Sequence, residues 1–371
     1  MTVLYSCLSL SWGGMEMFTI QAVQQLLKRG IHTELLCYAG SKIEIEAKRQ
    51  NIITFRSQFS GYFNLSETIK VSRLLKSKNY SLVHTQASKD LWLLVPALKL
   101  ADLDIPLFLT KQVGSFVIKK DFLHKWLYKR LNAAFAISTV INNNLLNTTT
   151  LKQDKVLMLH NGTDTNRFNP EKIDREKERL QLGLKDTDIV IGMLARFSSG
   201  KGHIDLIEAA KILIQKYDNL KFLLVGEPSR GETEFADKIK QMVIDYNLTK
   251  EFIFTGFRKD TENVISAMDI FAFPSHAEAF GIALVEAMSM AKPSVCSNSD
   301  GILDIAIDGQ TSYLFTNHNS RQLAEKLELL ILSEETRINF GNNARRRAVE
   351  YFDIEYLTDK VINYYKDFVK D

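Results

Sequence analysis

Short apolar, largely β-branched runs alternate along the whole chain with segments whose apolar positions recur every three or four residues. These are the periods of buried parallel strands and of the helices that cover them. The strand-like runs are 3–10, 33–38, 82–85, 106–110, 133–138 and 156–160, followed by 189–196, 221–226, 252–256, 270–274, 294–297 and 313–315. Such an order predicts an α/β chain of two tandem Rossmann-like, doubly wound parallel-sheet domains facing a cleft. The polar stretch opening at Asn169 and Pro170 reads as a hinge, which places an N-terminal domain at 1–170 and a C-terminal one at 171–350. Residues 351–371 carry aromatics at helical spacing. They predict a helix that packs back across the N-terminal domain, because so many rings are not left in water.

Composition supports two domains: 371 residues, 45% hydrophobic and 25% charged, exceed what one core usually serves. No apolar run is long enough for a membrane-spanning helix, and the first ten residues lack a basic start and a cleavage site, so they read as a strand. Cys7, Cys37 and Cys296 are odd in number and lie in strand-like runs, which suits a reducing cytoplasm, and no metal-ligand spacing is seen.

The net charge of +3 hides an asymmetry. Residues 1–170 hold 21 Lys and Arg against 11 Asp and Glu, and the remainder holds 26 against 33. The basic half is expected to face something anionic. Its densest run, 116–131, predicts a helix with Phe122, Trp126 and Leu127 on one side and Lys119, Lys120, Lys125, Lys129 and Arg130 around them. It reads either as a solvated helix docked on the core or as a helix lying on an anionic membrane surface. No nucleic-acid recognition motif accompanies the charge.

Ligands of open α/β sheets sit beyond the carboxyl ends of the strands, so the loops there carry the candidate chemistry. After run 189–196 come Arg196, Gly200, Lys201 and Gly202, with a helix expected from about His203. Two cations and bare amides converge there, as in a diphosphate seat, although a surface turn has the same composition. After run 270–274 come Glu278 and, about a turn and a half into the next helix, Glu286, with Lys292 suited to that helix's C-terminus. Carboxylates beside a diphosphate would repel it, whereas they accept readily from sugar or ribose hydroxyls. A capping Glu278 and a solvent-facing Glu286 are the alternative.

The pattern Pro274-Ser275-x-x-Glu278-x-Phe280-Gly281, then Glu286-Ala287-Met288, resembles the signature of family 4 nucleotide-sugar glycosyltransferases, retaining enzymes of the GT-B fold. Gly13-Gly14, His160-Asn161-Gly162-Thr163-Asp164 with Arg167-Phe168, and Gly256-Phe257-Arg258 agree in order. The resemblance implies that Arg196 and Lys201 clamp a donor diphosphate and offset charge on the departing nucleotide. It also implies that Glu278 meets sugar hydroxyls beside the amides of Ala279, Phe280 and Gly281, and that Glu286 accepts from the ribose diol. Gly256, Phe257 and Arg258 would border the base, and Gly13 and Gly14 would bring bare backbone to the phosphates. His84 and Gln112 fall on the acceptor side. Many relatives have histidine near Gln112, and glutamine is no base.

The expected reaction is transfer of a sugar from a nucleoside diphosphate to an acceptor hydroxyl, with retention and without metal or other cofactor. The acceptor would be a glycan or lipid-linked glycan of the cell envelope, handled in the cytoplasm or peripherally on the inner face of the membrane. An epimerase on the same scaffold and a catalytically silent nucleotide-sugar-binding assembly partner are the competing readings.

Overall fold

Every strand pairs only with parallel neighbours, as the near-continuous apolar runs require when both sheet faces are covered by helices. The computed structural model describes residues 1–59, 61–229 and 231–369. They divide into two compact units, one of residues up to 161 together with 354–369, the other of residues between 162 and 353.

In the first unit the strands are β1 Thr2–Cys7, β2 His32–Tyr38, β3 Thr54–Ser57, β4 Leu82–Thr85, β5 Leu107–Lys111, β6 Ala133–Ala136 and β7 Val156–Met158. Their spatial order is β3-β2-β1-β4-β5-β6-β7. The second unit has β8 Ile189–Leu194, β9 Leu220–Val225, β10 Phe252–Gly256, β11 Ile270–Phe273, β12 Ser294–Ser297 and β13 Ser312–Phe315, ordered β10-β9-β8-β11-β12-β13. Each sheet therefore reverses winding once, between β1 and β4 and between β8 and β11. At such a switch the loops leaving the two strands part and open a crevice.

The sequence pattern misses β3. This edge strand is short and keeps Arg56 in solvent, so it lacks the apolar run that marks its neighbours. The unit boundary also differs from the one expected at 170. Thr163 N donates to Phe352 O (3.0 Å), and the Arg345 guanidinium donates to the carbonyls of Thr165 (2.8 Å) and Phe168 (2.6 Å). These bonds tie 163–168 into the second unit ahead of the polar stretch.

A shorter helix than expected occupies 116–131. Only Phe122–Lys129 is helical, capped by Asp121, which accepts from the amides of Leu123 and His124. Leu127 and Tyr128 are buried, Trp126 is half-buried, and Phe116, Val117, Ile118 and Phe122 are exposed. The anticipated stripe is thus split: its C-terminal end joins the core, and its N-terminal end stands in water.

The last helix, Ile354–Phe368, lies in the first unit against helix Gly14–Lys28 and buries Leu357, Ile362 and Tyr365 in the core that contains Val3, Tyr5 and Leu35. Tyr365 reaches the inside of the sheet, where its hydroxyl meets His84 Nδ1, while His84 Nε2 pairs with Thr110 Oγ1 at 2.7 Å. Burial holds the imidazole neutral and lowers its pKa from 6.5 to about 3.

Because the unfolded chain takes up a proton at His84 that the folded one refuses, stability is full above pH 6.5 and is lost as pH falls toward about 3. The His84→Asn variant is expected to unfold with a shallower loss across that window, read as melting temperature against pH; a slope equal to wild type would contradict it.

Candidate functional site

In the second unit the loops leaving β8 and β11 are stitched together at backbone level. Gly202 has φ +78°, and a Cβ there would lie 2.1 Å from the carbonyl oxygen of Pro274, so only glycine allows this approach. His276 N donates to Gly200 O (2.9 Å). From the other side Gly301 N donates to Glu278 O (3.0 Å), and a Cβ on Gly301 would lie 2.5 Å from Ala279 O. Ser299 Oγ donates to Ser275 O (3.2 Å), as does Ser297 Oγ. The segment 275–281 is thereby fixed between its neighbours before helix Ile282–Ser289 begins.

This stitching brings Lys201 Nζ to 2.6 Å from Glu278 Oε2, with both side chains about one-fifth exposed. The expected cation and acid therefore meet directly. The pair is close to neutral as a unit, and it offers ammonium protons and carboxylate lone pairs to the same small volume. Arg196 points elsewhere, donating to Ser229 Oγ (2.8 Å) with Glu232 at 3.9 Å, and is more than half exposed. Phe280 is buried, its ring edge-on to Phe352 at 5.8 Å, and Gly281 has φ +118° at the helix start.

Glu286 is half-buried on helix Ile282–Ser289, and no hydrogen-bond partner for its carboxylate is found among the described residues. Burial raises its pKa from 4.5 to about 7, Arg167 opposes the rise and Glu262 adds to it. Arg167 and Glu262 form a 2.6 Å ion pair, and Arg167 also donates to Lys259 O at 2.8 Å. The solvent-facing alternative for Glu286 is therefore set aside. Lys292 departs from its expected place: its ammonium donates to Ser266 O (2.9 Å) and Met268 O (2.7 Å) rather than to its own helix end.

Of the three residues expected to border a base, Phe257 is exposed, and Gly256 O accepts from Gly226 N at 3.0 Å. Arg258 is already engaged, with Asp260 held by two bonds (2.5 and 2.7 Å) and Glu178 at 3.0 Å. Its charge is spent inside the unit.

In the first unit, Gly13 and Gly14 start helix Gly14–Lys28, and Gly13 N donates to Glu16 Oε2 (2.8 Å). A Cβ on Gly14 would meet nothing within 4 Å, and one on Gly13 only Glu16 Oε2 at 3.7 Å, so packing inside the chain does not demand glycine at either position. His84, expected on the acceptor side, is 1% exposed with both nitrogens engaged, and is a core residue.

Gln112 is buried too. Its amide donates to Gln86 Oε1 (2.8 Å) and Asn161 Oδ1 (3.2 Å), and Asn161 Nδ2 returns a bond to Gln112 Oε1 (2.7 Å). Gln86 in turn donates to Tyr5 OH (2.6 Å). A ladder of amides replaces the base that the position was expected to lack.

Two charged residues escaped sequence reasoning. Asp90 is buried beyond β1 and β4, accepting from Ser6 Oγ (2.9 Å), Leu8 N (3.2 Å) and Thr85 Oγ1 (3.0 Å), and burial raises its pKa to about 6. Lys111, at the end of β5, donates to Ser88 Oγ (3.0 Å), and burial lowers its pKa to about 8. Lys111's position at the end of β5 was the available signal for it; Asp90 lies five residues beyond β4 and had no such mark.

Comparisons with known proteins agree with this architecture. HepE of Anabaena, in complex with UDP, superposes with a TM-score of 0.87 at 22% identity, covering 99% of this chain and 100% of that one, which establishes the GT-B fold. The family model described as "Glycosyl transferases group 1" matches residues 174–347, and "Glycosyltransferase Family 4" matches 12–167. Between them nearly the whole sequence is matched: the chain belongs to the family 4 glycosyltransferases. The capsular polysaccharide biosynthesis glycosyltransferase CapM of Staphylococcus aureus is 27% identical over 64% of this chain and 62% of its own length. The N,N'-diacetylbacillosaminyl-diphospho-undecaprenol alpha-1,3-N-acetylgalactosaminyltransferase of Campylobacter jejuni is 24% identical over 85% of each chain.

A carboxyl group whose pKa is raised by folding adds stability below pH 4.5 that is lost as pH rises through about 7. The Glu286→Gln variant should therefore gain in melting temperature relative to wild type between about pH 5 and about pH 8; a difference that does not change with pH would show the carboxyl to be well solvated.

Proposed function

We propose that the chain is a retaining glycosyltransferase that moves a sugar from a nucleoside diphosphate to an acceptor hydroxyl in the synthesis of a cell-envelope glycan. The observation that carries this reading is the Lys201–Glu278 pair at the switch point of the second sheet. A diphosphate draws Lys201 by charge and repels Glu278, so Glu278 is left to sugar hydroxyls, which donate to it. Arg196 is exposed and on a flexible stem, free to exchange Ser229 for a phosphate oxygen. Glu286 in its ionised form accepts both hydroxyls of a ribose diol, for which it has lone pairs to spare.

In the reaction we infer, the bond between the anomeric carbon and the phosphate oxygen breaks, and the acceptor oxygen bonds to that carbon on the same face. The acceptor proton passes to the departing phosphate oxygen. Lys201 and Arg196 stabilise the charge growing there, which favours a metal-independent transfer. Gln112, where many relatives have histidine, is buried, amide-bonded and no proton acceptor, which supports giving that task to the leaving group. Relatives whose names specify undecaprenol-linked substrates support a lipid-linked acceptor. The exposed Phe116, Val117, Ile118 and Phe122 beside Lys119 and Lys120 suit an anionic membrane surface. No helix among the described residues is long and apolar enough to cross a membrane.

Removing Lys201 leaves the Glu278 charge unopposed. At an effective dielectric of ~20 and ~5 Å this repels a phosphate charge by about 3 kcal/mol. Lys201→Ala is therefore expected to lose UDP-sugar binding in calorimetry, and Lys201→Ala with Glu278→Gln to recover part of it, with a coupling of about 1–3 kcal/mol. Additive losses would remove the pair from the donor site. For the membrane, Phe116→Ser with Phe122→Ser should reduce sedimentation with phosphatidylglycerol vesicles several-fold; sedimentation that ignores both the substitutions and the salt concentration would reject the surface.

A further inference from the structure

The sequence shows no metal-ligand spacing, yet the fold gathers three ligand-type side chains from three different segments of the second unit. Asp205 stands in the first turn of helix His203–Leu213, His276 in the loop after β11, and His318 in the loop after β13. Their donor atoms all lie within 4.8 Å of one another. His276 Nε2 and Asp205 Oδ2 are hydrogen-bonded, and the His318 ring sits 3.7 Å from that of His276, centroid to centroid.

Two features raise this above an ordinary Asp–His bond. His318 is held at φ +63°, a conformation that residues with a Cβ seldom adopt, and that conformation accompanies its imidazole lying on His276. Two imidazoles so close repel when both are protonated, and they turn favourable when both present lone pairs to one cation. The loop is braced on either side: Asn317 Nδ2 donates to His276 O (2.7 Å), and His276 N donates to Gly200 O. Asp205 is buried, His276 half-buried and His318 exposed, so an ion has both an anchor and an entrance.

We propose that Asp205, His276 and His318 form a binding site for a divalent transition ion of the zinc class. Two imidazoles and one carboxylate are a donor set such ions favour, and three protein ligands leave a fourth position for water. Around a tetrahedral ion the donor atoms stand about 3.4 Å apart, within reach of small side-chain rotations from the observed arrangement. Binding replaces the proton shared by Nε2 and Oδ2 with the ion, and the imidazole proton relocates to Nδ1 by exchange with solvent.

The ion is a positioning device rather than a reactant. It cross-links the helix after the Lys201 turn to the loop that carries Glu278, through His276, whose amide already holds Gly200. None of its three ligands is a residue to which the sugar-transfer reading gives a role, so the site stands or falls apart from that reading.

The test uses the full chain, stripped with chelator and titrated with cobalt(II) in the absence of any sugar nucleotide. The expected result is one ion per chain, visible absorption of the intensity that four-coordinate cobalt gives, and a raised melting temperature with zinc. His318→Ala, at an exposed position, should keep the ion-free melting temperature and weaken binding at least about tenfold. His32→Ala, a histidine in the first unit, should bind as wild type does. No cobalt spectrum, or equal affinity in His318→Ala and wild type, would overturn the proposal. Equal losses in His318→Ala and His32→Ala would mark surface adsorption and overturn it as well.

Discussion

The carbonyl of Pro274 and the α-carbon of Gly202 stand so close that no side chain fits between them, and the candidate site depends on that approach. It sets the turn after β8 against the loop after β11. Every later feature, from the His276–Gly200 hydrogen bond to the Lys201–Glu278 pair, follows from two backbones brought into contact at the switch point. A Cβ at 2.1 Å would push the turn away and separate the ammonium from the carboxylate. The electrostatics of the site are in this sense a consequence of a steric absence.

The bonds that hold 275–281 end on its own backbone: His276 N and Glu278 O pair with the backbone of Gly200 and Gly301, and the Ser297, Ser299 and Asn317 side chains donate to its carbonyls. Such a loop holds its shape whatever its exposed side chains are. That leaves Lys201, Glu278 and Arg196 free to be chosen for chemistry, and it explains why charged groups can sit at the edge of a deep apolar core that includes Ile191, Ala272 and Val295.

The parallel sheets were legible because buried strands need apolar runs, whereas the order of the runs along the chain did not say where each sheet reverses its winding. What escaped has physical causes. Three of the four residues of edge strand β3 are polar, so period alone cannot mark it. In the 116–131 segment the helical spacing rests on Phe122, Trp126 and Leu127 alone; Phe116, Val117 and Ile118 ahead of them are exposed, and only Phe122–Lys129 is helical. Glu278, Lys201 and Glu286 were recognisable as residues of interest, but not the direct contact between the first two, which depends on the approach of two loops 77 residues apart. Arg258 carries a charge that the family resemblance aimed at a ligand; Asp260 and Glu178 take it instead. His84 and Gln112 stand at strand ends, where ligands are usually met, and are consumed by Tyr365 and Asn161. In each case the partner comes from a distant part of the chain, or from a side chain whose direction the period does not report.

Glu286 shows how such a site can be poised. Its helix buries Leu284, Val285, Ala287 and Met288, and the carboxyl shares that apolar setting without a hydrogen-bond donor among the described residues. Near neutral pH it is divided between its two protonation states, and each proton lost costs stability. A ligand that brings hydroxyl donors relieves that cost by solvating the anion. In the proposed function those donors are the ribose hydroxyls, so binding and ionisation become one event, and donor affinity falls as pH drops below about 7. The nearby Arg167–Glu262 pair, closed on itself at 2.6 Å, moderates the field without neutralising Glu286, so the carboxyl stays available to a neutral polyol rather than being spent on an internal cation.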